Sequence, residues 1–209
     1  MALLSDLVRK CAELGIDSEK SLAVFARRLR EAGRLSQAGR GRGAAHMNYV
    51  DAARFLIACA ATDHPERAAE CELAFSNTVF SSGFTTQDDP LPLSAEAAPS
   101  LDIALAKMLE ASATGVFHAE GAMLHPIMRL TVQRGGVQAK LKTPSGEYIY
   151  CHPALEAVVR QPDAQAQKPW LEKLEAETRI FRTGKNLVAE FDSATLRKVA
   201  ELIAGKTGK

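Results

Sequence analysis

The sequence lacks the patterns that mark several common classes of protein. No apolar run approaches the roughly 20 residues that a membrane-spanning helix needs, and the four cysteines form no CxxC pair. The GxSxG motif of many hydrolases and the HExxH motif of zinc proteases are both missing. These absences argue against a membrane protein, a zinc ribbon and two hydrolase classes. The scattered positions of the cysteines favour buried, reduced thiols.

The opening of the chain also lacks the pattern of a secretory signal peptide. Leu3 and Leu4 are followed at once by Asp6, Arg9 and Lys10, so the apolar core of such a signal is missing. We therefore expect a cytoplasmic protein that has no membrane partner.

Charge is balanced over the whole chain but not along it. The 209 residues carry a formal net charge of +1, and 46% of them are apolar, which is enough material for a core. Residues 20–54, however, contain eight basic and only two acidic side chains. Such a local excess predicts an anionic partner for this segment rather than a generally cationic protein.

The N-terminal third predicts three helices with defined ends. Apolar residues recur at helical spacing over 3–14, and Gly15 should end this helix in a left-handed conformation. A second helix over 19–32 is followed by Gly33, another residue suited to a helix end. A third helix begins after Asn48, which is a favourable N-cap residue. This order of helix, turn, helix, glycine-arginine segment and helix is typical of a helix-turn-helix with a wing.

The second helix has one apolar face and one basic face. At about 100° per residue, Arg27, Arg30 and Arg34 lie within about 60° of one another. The next segment adds Arg40 and Arg42, and its glycines would let the backbone approach a duplex closely. Arginine matches both phosphate and the edge of guanine, so the arrangement predicts DNA binding. In this scheme the major groove is read by Arg27, Arg30 and Arg34, the flank by Arg40 and Arg42, and the backbone by Arg28.

Residues 3–62 are similar in layout to winged helix-turn-helix proteins of the MerR and excisionase type, and to small DNA-binding proteins of prophages and mobile elements. In such proteins a recognition helix ends at a glycine-like stop, a wing containing arginine and glycine follows, and an aromatic residue precedes the next helix. The corresponding positions are occupied here by Gly33, Arg40, Gly41, Arg42 and Tyr49. The resemblance implies a transcriptional regulator or a phage-type or mobile-element factor that binds double-stranded DNA.

The remainder of the chain predicts strands mixed with helices. Apolar and polar residues alternate from 137 to 142, and Gly135-Gly136 suits a tight hairpin turn. A second strand pair is expected at 177–183 and 186–191, and Trp170 should anchor the core or an interface. A last helix is expected over 193–204.

These elements together predict an α+β protein whose second part contains an antiparallel sheet. Residues 85–100 carry three prolines and no periodicity, which is typical of a linker. We therefore expect a winged helix-turn-helix domain at 1–84, a linker at 85–100, and an α+β domain at 101–209. The last of these would form a homodimer or bind a partner, because paired half-sites add contacts to DNA.

The same residues also allow plainer interpretations. Arginines opposite an apolar helix face often only solvate that face, so the alternative is a protein–protein adaptor or a structural component. A nucleotide-binding loop is disfavoured because the Gly-Lys-Ser/Thr end of a Walker loop is missing and the glycines follow a helix rather than a strand. The histidines and cysteines have no zinc-like spacing. We therefore predict no catalytic residue, no metal site, no cofactor and no enzymatic activity, and an enzyme with its site in the 101–209 domain is the least favoured alternative.

Overall fold

The computed structural model describes residues 2–37, 45–86, 89–117, 127–182 and 185–206. Helices and an antiparallel sheet are mixed along this part of the chain, which confirms the predicted α+β class. Its eight α-helices are α1 (Leu4–Glu13), α2 (Glu19–Glu31), α3 (Tyr49–Ala61), α4 (Ala68–Ser76), α5 (Leu101–Thr114), α6 (Pro153–Val159), α7 (Ala164–Thr178) and α8 (Ser193–Ile203). Its five strands are β1 (Val79–Thr85), β2 (Arg129–Gln133), β3 (Gln138–Lys142), β4 (Gly146–Cys151) and β5 (Val188–Phe191).

α2 and α3 both begin after a capping side chain, and the cap of α3 is the one that the sequence predicts. α2 begins after Ser18, whose hydroxyl accepts a hydrogen bond from the Ser21 backbone N–H at 3.2 Å. Beyond its end Gly33 has a φ of 68°, a left-handed conformation that a residue without Cβ adopts at low cost. α3 begins after Asn48, whose side chain accepts from the Asp51 backbone N–H at 2.9 Å. Local chemistry therefore sets where these two helices start.

The sheet has the strand order β1-β4-β3-β2-β5, and every neighbouring pair is antiparallel. β2 and β3 form the predicted hairpin, in which Leu130 lies opposite Leu141 and Val132 lies opposite Ala139. These four side chains are buried, whereas Lys140 between them in sequence is exposed. The alternation predicted for β3 is confirmed, and it gives the sheet one apolar face.

The helices cover that apolar face, with α3 at their centre. α3 packs against α2, α4, α5 and α8, and it also reaches β2 and β5. Nine of its thirteen residues are buried, in agreement with its nearly continuous apolar sequence. All of these except Asp51 belong to one connected set of buried apolar side chains, which extends from α1 to α8 and includes Leu130 and Tyr150 of the sheet.

The connection predicted at 85–100 takes part in this core. Its residues from 89 onward form neither helix nor strand, yet Leu93 and Ala98 are fully buried. The Tyr150 hydroxyl donates a hydrogen bond to the Ala98 carbonyl oxygen at 3.0 Å. β1 ends at the first residue of the connection and pairs with β4, which follows the connection. The units predicted on either side therefore share a sheet and a core, and their division into separate domains stays a prediction.

One predicted hairpin in the C-terminal half is wrong. In its described part, the strand expected at 177–183 is the end of α7 followed by a 3₁₀ turn at Arg179–Phe181. α7 begins after Asp163, whose carboxylate accepts from the Ala166 N–H at 2.9 Å, and the helix continues through Thr178. β5 pairs with β2 instead. A seven-residue window was too short to reveal helical spacing that begins well before it. Trp170 lies on α7 and is 36% exposed, so it does not anchor the core.

Candidate nucleic-acid interface

Two arginines, Arg27 and Arg30, project from the exposed side of α2. Their spacing of three residues puts them on one helix face, while Leu29 between them is fully buried. The Arg27 side chain is 57% exposed, and its Nε lies 3.7 Å from Oε1 of Glu31. Arg30 is exposed and forms no ion pair with any other residue that the structure describes. This part of α2 therefore offers two guanidinium groups to a partner in solvent.

A groove of about 670 Å³ runs between α1 and α2 beside these arginines. Its apolar lining consists of Leu4, Val8, Ala23 and Ala26. Its polar lining consists of Ser5, Glu19, Arg27, Arg30, Glu31 and Gln37. The groove thus combines an apolar floor with a charged rim, and positive charge is concentrated toward the C-terminal end of α2.

Arg28 points to a different side of α2 and is already paired. Its Nη1 donates to Oε2 of Glu31 at 3.0 Å, and its Nη2 contacts the carboxylate of Glu66 in the turn before α4. The side chain is 36% exposed, and its Nε is buried without a hydrogen-bond partner among the described residues. The predicted contact of Arg28 with a DNA backbone would therefore compete with two carboxylates of the protein.

Arg34 does not share a face with Arg27 and Arg30, and this part of the sequence prediction is corrected. α2 ends before Gly33, and the chain turns there, so helical geometry does not extend to Arg34. Its Nε and Nη2 donate to the two carboxylate oxygens of Glu72 at 2.6 and 3.0 Å. These hydrogen bonds raise the pKa of the Arg34 guanidinium. Arg34 therefore holds the segment after α2 against α4 instead of facing solvent.

The Arg34 contact is one part of a buried ion cluster, defined here as Arg34, Arg54, Glu72 and Asp102. Glu72 is wholly buried and also accepts from the Ser76 hydroxyl at 2.5 Å. Arg54 lies 3.9 Å from Glu72, and its Nη2 lies 2.9 Å from Oδ2 of Asp102. Two positive and two negative groups therefore neutralise one another. The cluster joins the segment after α2 to α3, α4 and α5.

Asp51 closes the segment between α2 and α3 at its base. Its carboxylate is 2% exposed and accepts from the backbone N–H of Ser36 at 2.7 Å and of Asn48 at 3.0 Å. The Asn48 side-chain amide also donates to the Ser36 hydroxyl at 3.3 Å. One carboxylate thus holds together two backbone positions twelve residues apart. The sequence shows the cap formed by Asn48 and Asp51, but no local pattern reveals the contact with Ser36.

Arg40 and Arg42 belong to residues 38–44, which lie outside the described part of the chain. Their predicted contacts with DNA therefore stay predictions, as does the presence of a wing. The described ends of this region are anchored by the Asp51 carboxylate and by an antiparallel bridge between Leu3 and His46.

A second set of polar contacts lies at the end of β4, where His152 caps α6. Its Nδ1 accepts from the Ala154 backbone N–H at 3.2 Å, and its Nε2 lies 3.3 Å from Oε2 of Glu177 on α7. Burial lowers the pKa of His152; Glu177 opposes this effect and Lys173 adds to it. Because Nδ1 accepts a hydrogen bond, it carries no proton, and the imidazole ring is neutral. The contacts therefore form a structural cap rather than an acid–base pair.

The residues that the structure describes form neither a metal site nor a membrane-spanning helix. No group of three or more histidine, cysteine, aspartate or glutamate side chains could hold a metal ion there. No helix in the described ranges is long and apolar enough to cross a membrane. The four cysteines are free thiols, and burial raises the pKa of Cys11 to about 12.

Comparison with known proteins identified no family. No family model matches the chain, and neither a curated protein nor a solved structure matches it. The resemblance to winged helix-turn-helix proteins therefore stays a prediction, and function has to be inferred from the side chains themselves.

Proposed function

We propose that the protein binds double-stranded DNA through the exposed C-terminal half of α2, in the manner of a transcriptional regulator or a phage-type or mobile-element factor. The observation that carries the proposal is the exposure of Arg27 and Arg30 on one helix face. Among the described residues, the only ion pair that either arginine forms is the 3.7 Å contact of Arg27 with Glu31. A guanidinium group presents a rigid fork of donors that suits phosphate oxygens and the guanine edge.

The surroundings of the two arginines support this proposal. Arg30 lies close in sequence to the arginine-rich segment that carries Arg40 and Arg42, and Asp51 holds the base of that segment. Contacts from a helix and from a segment beside it would together cover more phosphates than either alone. Arg34 enters the proposal as a positioning residue, because its guanidinium is bound to Glu72.

The first test is binding of the full chain to pooled random duplex DNA over a series of salt concentrations. We expect affinity to fall steeply with salt, because each neutralised phosphate contributes about −0.9 to the slope of log affinity against log salt. Arg27→Ala combined with Arg30→Ala should reduce the magnitude of that slope by about 1.8, which corresponds to two lost phosphate contacts.

A matched control removes the same charge from a different surface. Lys140→Ala combined with Lys142→Ala alters two exposed lysines on the face of the sheet away from the helices, and it should leave the slope unchanged. Equal losses in both double variants would indicate a general charge effect and contradict a site on α2. If the unmodified protein shows no salt-dependent binding, the adaptor interpretation replaces the proposal.

A further inference from the structure

The helices α6 and α7 form a hairpin that takes little part in the rest of the fold. They pack against each other, and α6 reaches β1. All residues from 153 to 178 are described, and none of their apolar side chains belongs to the connected core. Of the fifteen residues of α7, only Thr178 is buried. A helix of this length is marginal on its own in water, so further packing would stabilise it.

One stripe of α7 combines an exposed leucine with charges of opposite sign. Leu171 is 46% exposed, and Lys168 and Glu175 lie three residues before it and four residues after it. Residues at this spacing fall on one helix face. Lys168 is exposed and forms no ion pair with another described residue. Glu175 is 73% exposed, with Oε1 3.5 Å from Arg182.

Two copies of these three residues are complementary in charge only when the two helices run antiparallel. If two copies of α7 lie antiparallel about a two-fold axis near Leu171, the two leucines meet and Lys168 of each copy faces Glu175 of the other. A parallel arrangement would instead place like charges side by side. Isologous contacts of this kind are the usual basis of homodimers.

We propose that the stripe Lys168, Leu171 and Glu175 on α7 is a self-association surface, occupied by the same stripe of a second copy of this chain. A single leucine and two exposed ion pairs make a small interface, so association is weak and rises with protein concentration. This proposal does not depend on DNA binding, and it is tested without DNA.

The experiment is sedimentation velocity of the full chain over a wide range of concentrations at low salt. The unmodified protein should approach twice the mass of one chain as concentration rises. Lys168→Glu and Glu175→Lys should each weaken association about tenfold, because each places like charges across the two-fold axis. An equimolar mixture of the two variants should recover association, because the two charge reversals compensate. Lys140→Glu, on the sheet, is the matched control and should have no effect.

Each other outcome overturns the proposal. A chain that stays monomeric throughout lacks the interface, and a mixture that does not recover association rules out the antiparallel pairing. All the changed side chains are exposed, and circular dichroism verifies that each variant is folded. Trp170, the only tryptophan, lies about 100° around the helix from Leu171. Its emission should therefore change little on association, and a strong blue shift that Leu171→Ser does not abolish would place the contact on another face.

Discussion

Two neighbouring regions use arginine in opposite ways: the exposed end of α2 and the buried ion cluster beside it. Arg30 points to solvent and has no carboxylate partner in the described structure, whereas Arg34, four residues later, is bound through two hydrogen bonds to the buried Glu72. Both residues are arginines, and their spacing of four residues would place them on one face of a continuous helix. The role of each arginine therefore depends on whether the fold brings a carboxylate to it.

Physical chemistry explains why the two regions should respond differently to substitution. A buried charge costs several kcal/mol to remove from water, and only a well-placed opposite charge offsets that cost. An exposed charge remains hydrated and contributes little to folding, so it stays available to an external anion. Substitutions in the ion cluster should therefore change the free energy of unfolding, and substitutions of Arg27 and Arg30 should change the affinity for DNA.

The largest effect is expected at Glu72. Glu72→Ala removes the carboxylate between Arg34 and Arg54 and should lower the free energy of unfolding by about 3 kcal/mol or more, because it leaves the half-buried Arg34 without its ionic partner while Arg54 keeps only Asp102. Urea denaturation measures this value. Glu70→Ala on the same helix removes a carboxylate that is 58% exposed and should change the free energy by less than about 0.5 kcal/mol. Similar values for the two variants would contradict the claim that the ion pairs of Glu72 stabilise the fold.

The next largest effect separates the two arginines directly. Arg34→Ala should cost about 3 kcal/mol of unfolding free energy, because Glu72 keeps only the more distant Arg54 as an ionic partner. Arg30→Ala should change it by less than about 0.5 kcal/mol. In the salt series, Arg30→Ala should reduce the magnitude of the binding slope by about 0.9, and Arg34→Ala should not, provided that the variant is folded. The reverse pattern would make Arg34 the contact residue.

A smaller effect is expected at the base of the arginine-rich segment. Asp51→Ala leaves the backbone N–H groups of Ser36 and Asn48 without their acceptor and should lower the free energy of unfolding by about 2 kcal/mol. Asp163→Ala removes the exposed cap of α7 and should cost about 1 kcal/mol. Thermal and chemical denaturation of both variants compare the two positions. If the Asp51 variant is as stable as the Asp163 variant or more stable, Asp51 contributes only as part of a helix cap, and its contact with Ser36 adds nothing.

The smallest effect extends the comparison to a group that can change its charge. The pKa of His152 is lowered from 6.5 in the folded state, so folding favours the neutral ring. The resulting contribution to stability is complete above pH 6.5 and is lost as the pH falls through the lowered pKa. His152→Asn keeps an acceptor for the Ala154 N–H but does not titrate. The difference in unfolding free energy between the two proteins should therefore depend on pH only in this window.

Much of the N-terminal architecture follows from local sequence. Asn48 caps the helix that it was expected to cap, and Gly33 has the left-handed conformation expected beyond a helix end. The alternation of apolar and polar residues predicts β3, because one face of the sheet packs against the core and the other is exposed to solvent. These features depend on neighbours within a few residues, which a sequence displays directly.

Features that depend on distant partners could not be predicted in the same way. β1 has no alternating pattern of buried and exposed residues, so its sequence does not indicate a strand that pairs with β4. The sequence of α7 has only a weak hydrophobic pattern, because its apolar side chains do not contribute to the core. The contact of Ser36 with Asp51 and that of Arg34 with Glu72 join positions far apart in the chain.

The α+β class, the ends of the first helices and the concentration of arginine between α2 and α3 can all be predicted from the amino-acid sequence, because capping, periodicity and composition are local properties. Which arginines face solvent and which are neutralised follows from the folded structure alone. That choice depends on the burial of Glu72 and Asp102 against Arg34 and Arg54, and a carboxylate about forty residues away leaves no mark on the local sequence of an arginine.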